Sequence, residues 1–111
     1  MKVSKHKAFQ CIADEKEDIL DFATFLEYII PKEFSKDNVV VDLMKYTSMT
    51  LPELLFFLKV SNAHRAKKNS LVIINDALDP DVIPEEIIVV PTLQEAEDII
   101  EMEEIERDLG F

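Results

Sequence analysis

The sequence predicts a single α/β domain over residues 1–111, with its core between 5 and 109: a mixed sheet of about four strands with helices packed against it. Three observations predict this class. Val39-Val40-Val41 and Leu71-Val72-Ile73-Ile74 are unbroken apolar blocks, as suits strands buried on both faces. Other stretches carry apolar residues at helical spacing. Strand and helix patterns alternate along the chain, the order of layered folds with a partly parallel sheet.

The first strand is expected within Lys5 to Ala13, where Phe9, Cys11 and Ala13 alternate with Gln10 and Ile12. Asp14 and Glu17 then have capping-box spacing. Ile19, Phe22, Ala23, Leu26, Ile29 and Ile30 follow the i, i+3, i+4 rule of an amphipathic helix, and Pro31 is expected to end it. Lys32 to Asp37 links it to the valine strand.

A hydroxyl-rich turn, Thr47-Ser48-Met49-Thr50, follows that strand and leads into a helix expected from Leu51 to Lys68. Thr50 and Glu53 form a capping box, and Pro52 falls in the first turn, where its missing N–H costs nothing. Leu54, Leu55 and Leu58 mark one apolar face, while Phe56, Val60 and Ala63 mark a second. A helix apolar nearly all round is buried or covered by a partner. Either a neighbouring helix of the same domain covers the second face, or a partner does. The cations His64, Arg65, Lys67 and Lys68 complement the dipole at its end, which reads His64 as a surface residue.

After the Leu71–Ile74 strand, Pro80 and Pro84 make residues 77–86 a turn-rich loop with room for one helical turn. Ile87 to Val90 reads as a last short strand. Thr92 and Glu95 form a third capping box before an acidic helix over 93–109, whose apolar side would be Leu93, Ala96, Ile99, Ile100, Ile105 and Leu109. Gly110, the only glycine, fits the position after that helix.

The net charge of −11 belongs to the last third. Residues 1–75 hold eleven Lys/Arg against ten Asp/Glu; residues 76–111 hold thirteen acids against Arg107 alone. Such a surface repels nucleic-acid phosphates and anionic lipid and would attract a basic protein patch. Its plainest role is to solvate a helix face. No apolar run approaches the roughly 20 residues of a membrane span. Met1 to Lys7 is basic but lacks the apolar core of a signal peptide. With one cysteine, Cys11, and no leader, the expected compartment is the reducing cytoplasm.

Much chemistry has no carrier here. One glycine cannot build a phosphate-cradling loop. One cysteine and two distant histidines, His6 and His64, make no zinc site, and neither histidine has a nucleophile beside it in the sequence. His6 reads as an exposed structural residue. Glu97, Glu101 and Glu104 are expected to face water rather than a cleft that would shift a carboxylate. The expectation is a chain with no catalytic residues, metal or cofactor.

The strand, hydroxyl turn and helix resemble the centre of a STAS domain, the fold of anti-sigma-factor antagonists and of the cytoplasmic tails of sulphate transporters. Val41-Asp42-Leu43 is similar to the family's strand end, and Leu54, Phe57 and Leu58 fall where its helix is apolar. Val89-Val90-Pro91-Thr92-Leu93-Gln94-Glu95-Ala96 looks like its closing strand and helix. The resemblance covers Phe9 to Ile100 and implies a binding module. In the family, an Asp-Ser-Ser-Gly segment offers a serine to a partner kinase, and phosphorylation switches binding. Here Thr50-Leu51-Pro52-Glu53 holds that slot, and the family's second helix is reduced to the proline loop. Thr47, Ser48 and Thr50 are the hydroxyls nearest to it; their ordinary role is turn formation and capping.

The reading that follows is a non-enzymatic, STAS-like protein-interaction module without the serine switch. Its contact surface would be Ser48, Thr50, Pro52, Glu53, Phe56 and Val60, with Phe56 as the apolar anchor. The partner would be an anti-sigma-type regulator, an enzyme subunit, or a second copy of the chain. The alternatives are a constitutive structural subunit, a small nucleotide-binding protein, and an acidic mimic that fills a basic nucleic-acid site.

Overall fold

The computed structural model describes residues 1–110. Its elements are β1 (Lys2–Lys5), β2 (Gln10–Ala13), α1 (Ile19–Glu33), β3 (Val39–Asp42), α2 (Leu51–Leu55), α3 (Leu58–Ala66), β4 (Leu71–Ile74), β5 (Ile88–Val90) and α4 (Leu93–Asp108), with one 3-10 turn at Pro80–Val82. The five strands lie in sequence order in one sheet. β1 pairs antiparallel with β2, and β2 to β5 are parallel neighbours.

This order explains the layers. Each parallel crossover moves one strand further in the same direction, and crossovers are right-handed. α1, the α2–α3 pair and the proline loop therefore share one face. On that face the row Ile12, Val41, Ile73 and Val89 meets Phe22 and Leu26 of α1, Leu54 of α2 and Val60 of α3. Successive strand residues point to opposite sides, so Cys11, Val40, Val72 and Ile88 form the back row. Among the described residues α4 is the helix that packs there, through Ala96, Ile99 and Ile100, beside Phe9 from the β1–β2 turn.

The sheet has five strands, one more than the sequence suggested. The expected Lys5–Ala13 strand is the end of β1, a turn closed by His6 N–H donating to the Phe9 carbonyl at 2.9 Å, and β2. All four β1 residues are exposed, so no apolar alternation marks it. The first helix is capped by Asp18, not Asp14; its carboxylate accepts from Asp21 N–H at 3.0 Å. Nor does Pro31 end that helix. It lies inside the last turn on the exposed side, where the carbonyl it cannot serve can meet water, and Phe34 N–H still reaches the Ile30 carbonyl.

The expected helix over 51–68 is two helices. At the joint, Phe56 N–H bonds to Glu53 and Phe57 N–H to Leu54, a tighter three-residue turn, before the regular ladder resumes from Ser61 to Phe57. The buried residues along both helices are Leu54, Phe57, Val60, Ser61 and His64, a single stripe at three- and four-residue steps. Two of the five are polar, which is why hydrophobicity alone misplaced the face. Leu55 and Ala63 are exposed, and Phe56 is half-buried against the front core. The second apolar face is therefore not a distinct surface.

On α4 the inward side is shorter than expected. From Ile100, the next inward positions are Glu103, Glu104 and Arg107, so Ile105 and Leu109 point away from the sheet. Gly110 has φ +85 after the helix, as its position required.

Phe57 is wholly buried and meets Phe22 edge-on, with ring centroids 6.2 Å apart. Phe57→Ala is expected to lower stability by about 3–5 kcal/mol, and Phe56→Ala by clearly less. Urea denaturation of both variants checks the order; equal losses would place the joint elsewhere.

Candidate functional site

At the carboxyl ends of β2, β3 and β4 stand Asp14, Asp42 and Asn75, the end of a parallel sheet where functional loops gather. The link from β3 to α2, residues 43–50, is held there from beneath. Leu43 N–H donates to the Ile74 carbonyl at 2.9 Å, extending the ladder, and Met44 N–H donates to Asp42 Oδ1 at 3.0 Å. Asn75, only 3% exposed, donates from Nδ2 to the Leu43 carbonyl at 2.8 Å and the Tyr46 carbonyl at 3.1 Å. Its Oδ1 accepts from Ala77 N–H at 2.8 Å. One buried amide thus bonds three backbone groups, two in this link and one in the loop after β4, a role the sequence reading missed because Asn at a strand end looks like simple punctuation.

The loop is tied sideways as well. Tyr46 donates its hydroxyl to Asp14 Oδ2 at 2.5 Å, and Lys45 Nζ donates to the carbonyls of Lys16 and Asp14. Burial, the bond to Asp14, and the charges of Asp14, Asp18 and Glu17 hold the Tyr46 phenol protonated, well above its usual range. Met49 is buried under the loop.

What the loop presents is Thr47, Ser48, Thr50 and Pro52, all exposed. Tyr46, Thr47, Ser48, Met49 and Glu53 line a shallow depression of about 260 Å³. Glu53 is engaged with Thr50: Oε1 accepts from Thr50 N–H at 2.9 Å and from its hydroxyl at 3.1 Å, and Thr50 Oγ1 accepts from Glu53 N–H at 3.4 Å. The Thr50 hydroxyl is therefore committed to the cap, leaving Thr47 and Ser48 as the outward pair. Phe56 lies half-inside the front core, and Val60, at 2% exposure, is a core residue that no partner can touch. Leu55, 39% exposed and one turn on from Pro52, and Met44 are exposed apolar side chains of this link and the start of α2.

His64 is not a surface residue. It is 2% exposed, and its ring Nε2 lies 2.6 Å from the Asp37 carbonyl, to which Nε2–H donates, joining α3 to the link before β3. Burial lowers its basicity, against the pull of the Asp37 carbonyl and with help from Lys67 and Arg65. His6 stacks on Phe9 with centroids 4.5 Å apart. Burial and the nearby Asp42 charge push the Cys11 thiol up to about 11, far from a reactive thiolate.

At the other end of the sheet, Arg65 pairs with Glu103 at 2.6 Å, and Arg107 donates to Ser70 Oγ at 3.2 Å and Asn38 Oδ1 at 3.3 Å. Partial burial pushes the Glu103 carboxyl up, but Arg65, Ser70 and Arg107 outweigh it and hold the group below its ordinary range. These contacts lock the end of α4 to α3 and to the strand starts. Among the described residues, no group of three or more His, Cys, Asp or Glu is placed to hold a metal ion, and no helix is long and apolar enough to cross a membrane. No family model matches the chain, and no curated protein matches it.

Two measurements follow from these contacts. Asn75→Ala leaves two carbonyls without their donor and is expected to cost about 1–3 kcal/mol, with faster amide exchange at residues 44–50; unchanged exchange there would remove Asn75 from its role. His64 titrates at 6.5 when unfolded and lower when folded. The unfolded chain therefore takes up the proton first, so this stability is complete above 6.5 and is lost as pH falls below it. Between pH 7.5 and 5.5 the wild type should lose more stability than His64→Gln in paired urea titrations. Equal losses would mean the ring is not held neutral.

Proposed function

We propose that this chain is a non-enzymatic, STAS-like protein-binding module that works in the cytoplasm without the family's serine phospho-switch. Its contact surface is the exposed end of the β3–α2 link: Met44, Thr47, Ser48, Thr50, Pro52 and Leu55. The observation that carries this reading is the combination of an outward-facing hydroxyl and apolar surface with a loop pinned from beneath by Asn75 and from the side by the Tyr46–Asp14 bond. A loop already held in one shape loses little further freedom on binding. The resemblance adds support through the Asp42-Leu43 strand end and the strand, turn and helix order that follows it.

The missing switch also has a physical basis. Leu51 and Pro52 carry no hydroxyl in the family's slot, and the Thr50 hydroxyl is taken by Glu53. Binding through this surface is then constitutive. Its partner is an anti-sigma-type regulator or an enzyme subunit that offers a complementary apolar pocket for Leu55.

The test is affinity capture from the source cell's lysate with wild type, Ser48→Arg and Leu55→Asp, each checked by circular dichroism. Both positions are exposed, so the variants are expected to stay folded. A partner captured by the wild type and lost from both variants supports the reading. A partner retained by both overturns it.

A further inference from the structure

α4 carries a second surface that the β3–α2 link does not explain. Its inward side, Ala96, Ile99 and Ile100, already seals the back of the sheet. On the opposite side, Met102, Ile105 and the C-cap residue Leu109 are 57%, 60% and 67% exposed. Their steps of three and four residues align them in one straight stripe, about 10 Å long at 1.5 Å per residue. By the same periodicity Glu101 and Asp108 border the stripe on one side and Glu106 on the other, all three exposed. Three large apolar side chains in line, held in water between carboxylates, belong to neither core cluster among the described residues.

We propose that this face of α4 is a docking site for a basic amphipathic helix of a partner protein, with apolar residues at i, i+3 and i+7 flanked by Lys or Arg. Charge selects this occupant. α4 holds eight acidic residues and one cation, Arg107, which is engaged with Ser70 and Asn38. A second copy would set like-charged rims against each other, at the cost that like charges carry in an interface. Anionic lipid and nucleic acid meet the same repulsion. A cationic helix gains on both counts: it covers the stripe and neutralises the rims, in the helix-against-apolar-face mode of recognition.

The probe is a labelled synthetic peptide with Leu at i, i+3 and i+7 and Lys between, read by fluorescence anisotropy against the full chain. The controls are a scrambled peptide of the same composition and a version with Glu for Lys. The patterned peptide should bind about tenfold or more tightly than either control, and Ile105→Asp, or Glu101→Lys with Glu106→Lys, should weaken it by about as much. Leu55→Asp should leave it unchanged, which separates this site from the β3–α2 surface. Equal binding of the scrambled peptide would reduce the effect to bulk charge and overturn the proposal. So would binding indifferent to Ile105→Asp. A dimer in sedimentation of the protein alone, abolished by Ile105→Asp, would assign the stripe to self-association instead.

Discussion

Burial of β3 and β4 on both faces is the constraint on which the rest of the structure depends. Val39, Val40 and Val41, like Leu71, Val72 and Ile73, are wholly inaccessible. A strand apolar on both sides must be covered on both sides. Right-handed crossovers supply the front cover, α1 with α2 and α3, as a by-product of connecting parallel neighbours. They cannot cover the back. The chain therefore needs one more helix after the last strand, and α4 is that helix. Ala96 and Ile100 seat it on the sheet, and the Arg65–Glu103 pair and the Arg107 bonds tie its far end.

The same constraint leaves two different ends to the sheet. At the strand starts, α4, α3 and the loop before β4 are cross-linked by the Arg65–Glu103 ion pair, the Arg107 bonds and the Asn38 amide. At the carboxyl ends, Asn75 and the Tyr46–Asp14 bond hold a loop whose backbone is satisfied but whose side chains face outward. A buried amide that pairs with two carbonyls gains more from specificity of shape than from net stability, because the same groups bond water when unfolded. That is how a loop can be ordered without being covered.

Buried polar residues also decide the front layer. His64 and Ser61 complete the inward stripe of α3, with His64 reaching the Asp37 carbonyl. The break at Phe56–Phe57 brings Leu54 and Phe57 into line with them. Neither feature reduces to hydrophobic pattern. Each depends on a partner distant in sequence: Asp37 for the histidine, Phe22 for the phenylalanine.

The sequence by itself determined the α/β class, β4 to the residue and β3 to within one, the proline loop with its single turn, and the caps at Thr50 and Thr92. These are local: β-branched runs, hydroxyl-to-amide spacing and proline geometry act within a few residues. It also located the outward hydroxyls of the β3–α2 link, since turn chemistry is local too. Only the tertiary structure decided β1, whose exposed residues have no pattern and which exists through pairing with β2. It alone decided that Asp18 rather than Asp14 caps α1, because Asp14 is drawn to Tyr46, 32 residues away. It placed Val60 and His64 in the core and turned Ile105 and Leu109 to water, because which side of a helix is inward depends on what the sheet offers it. Periodicity names the residues that share a face, and only the packed neighbours choose among the faces.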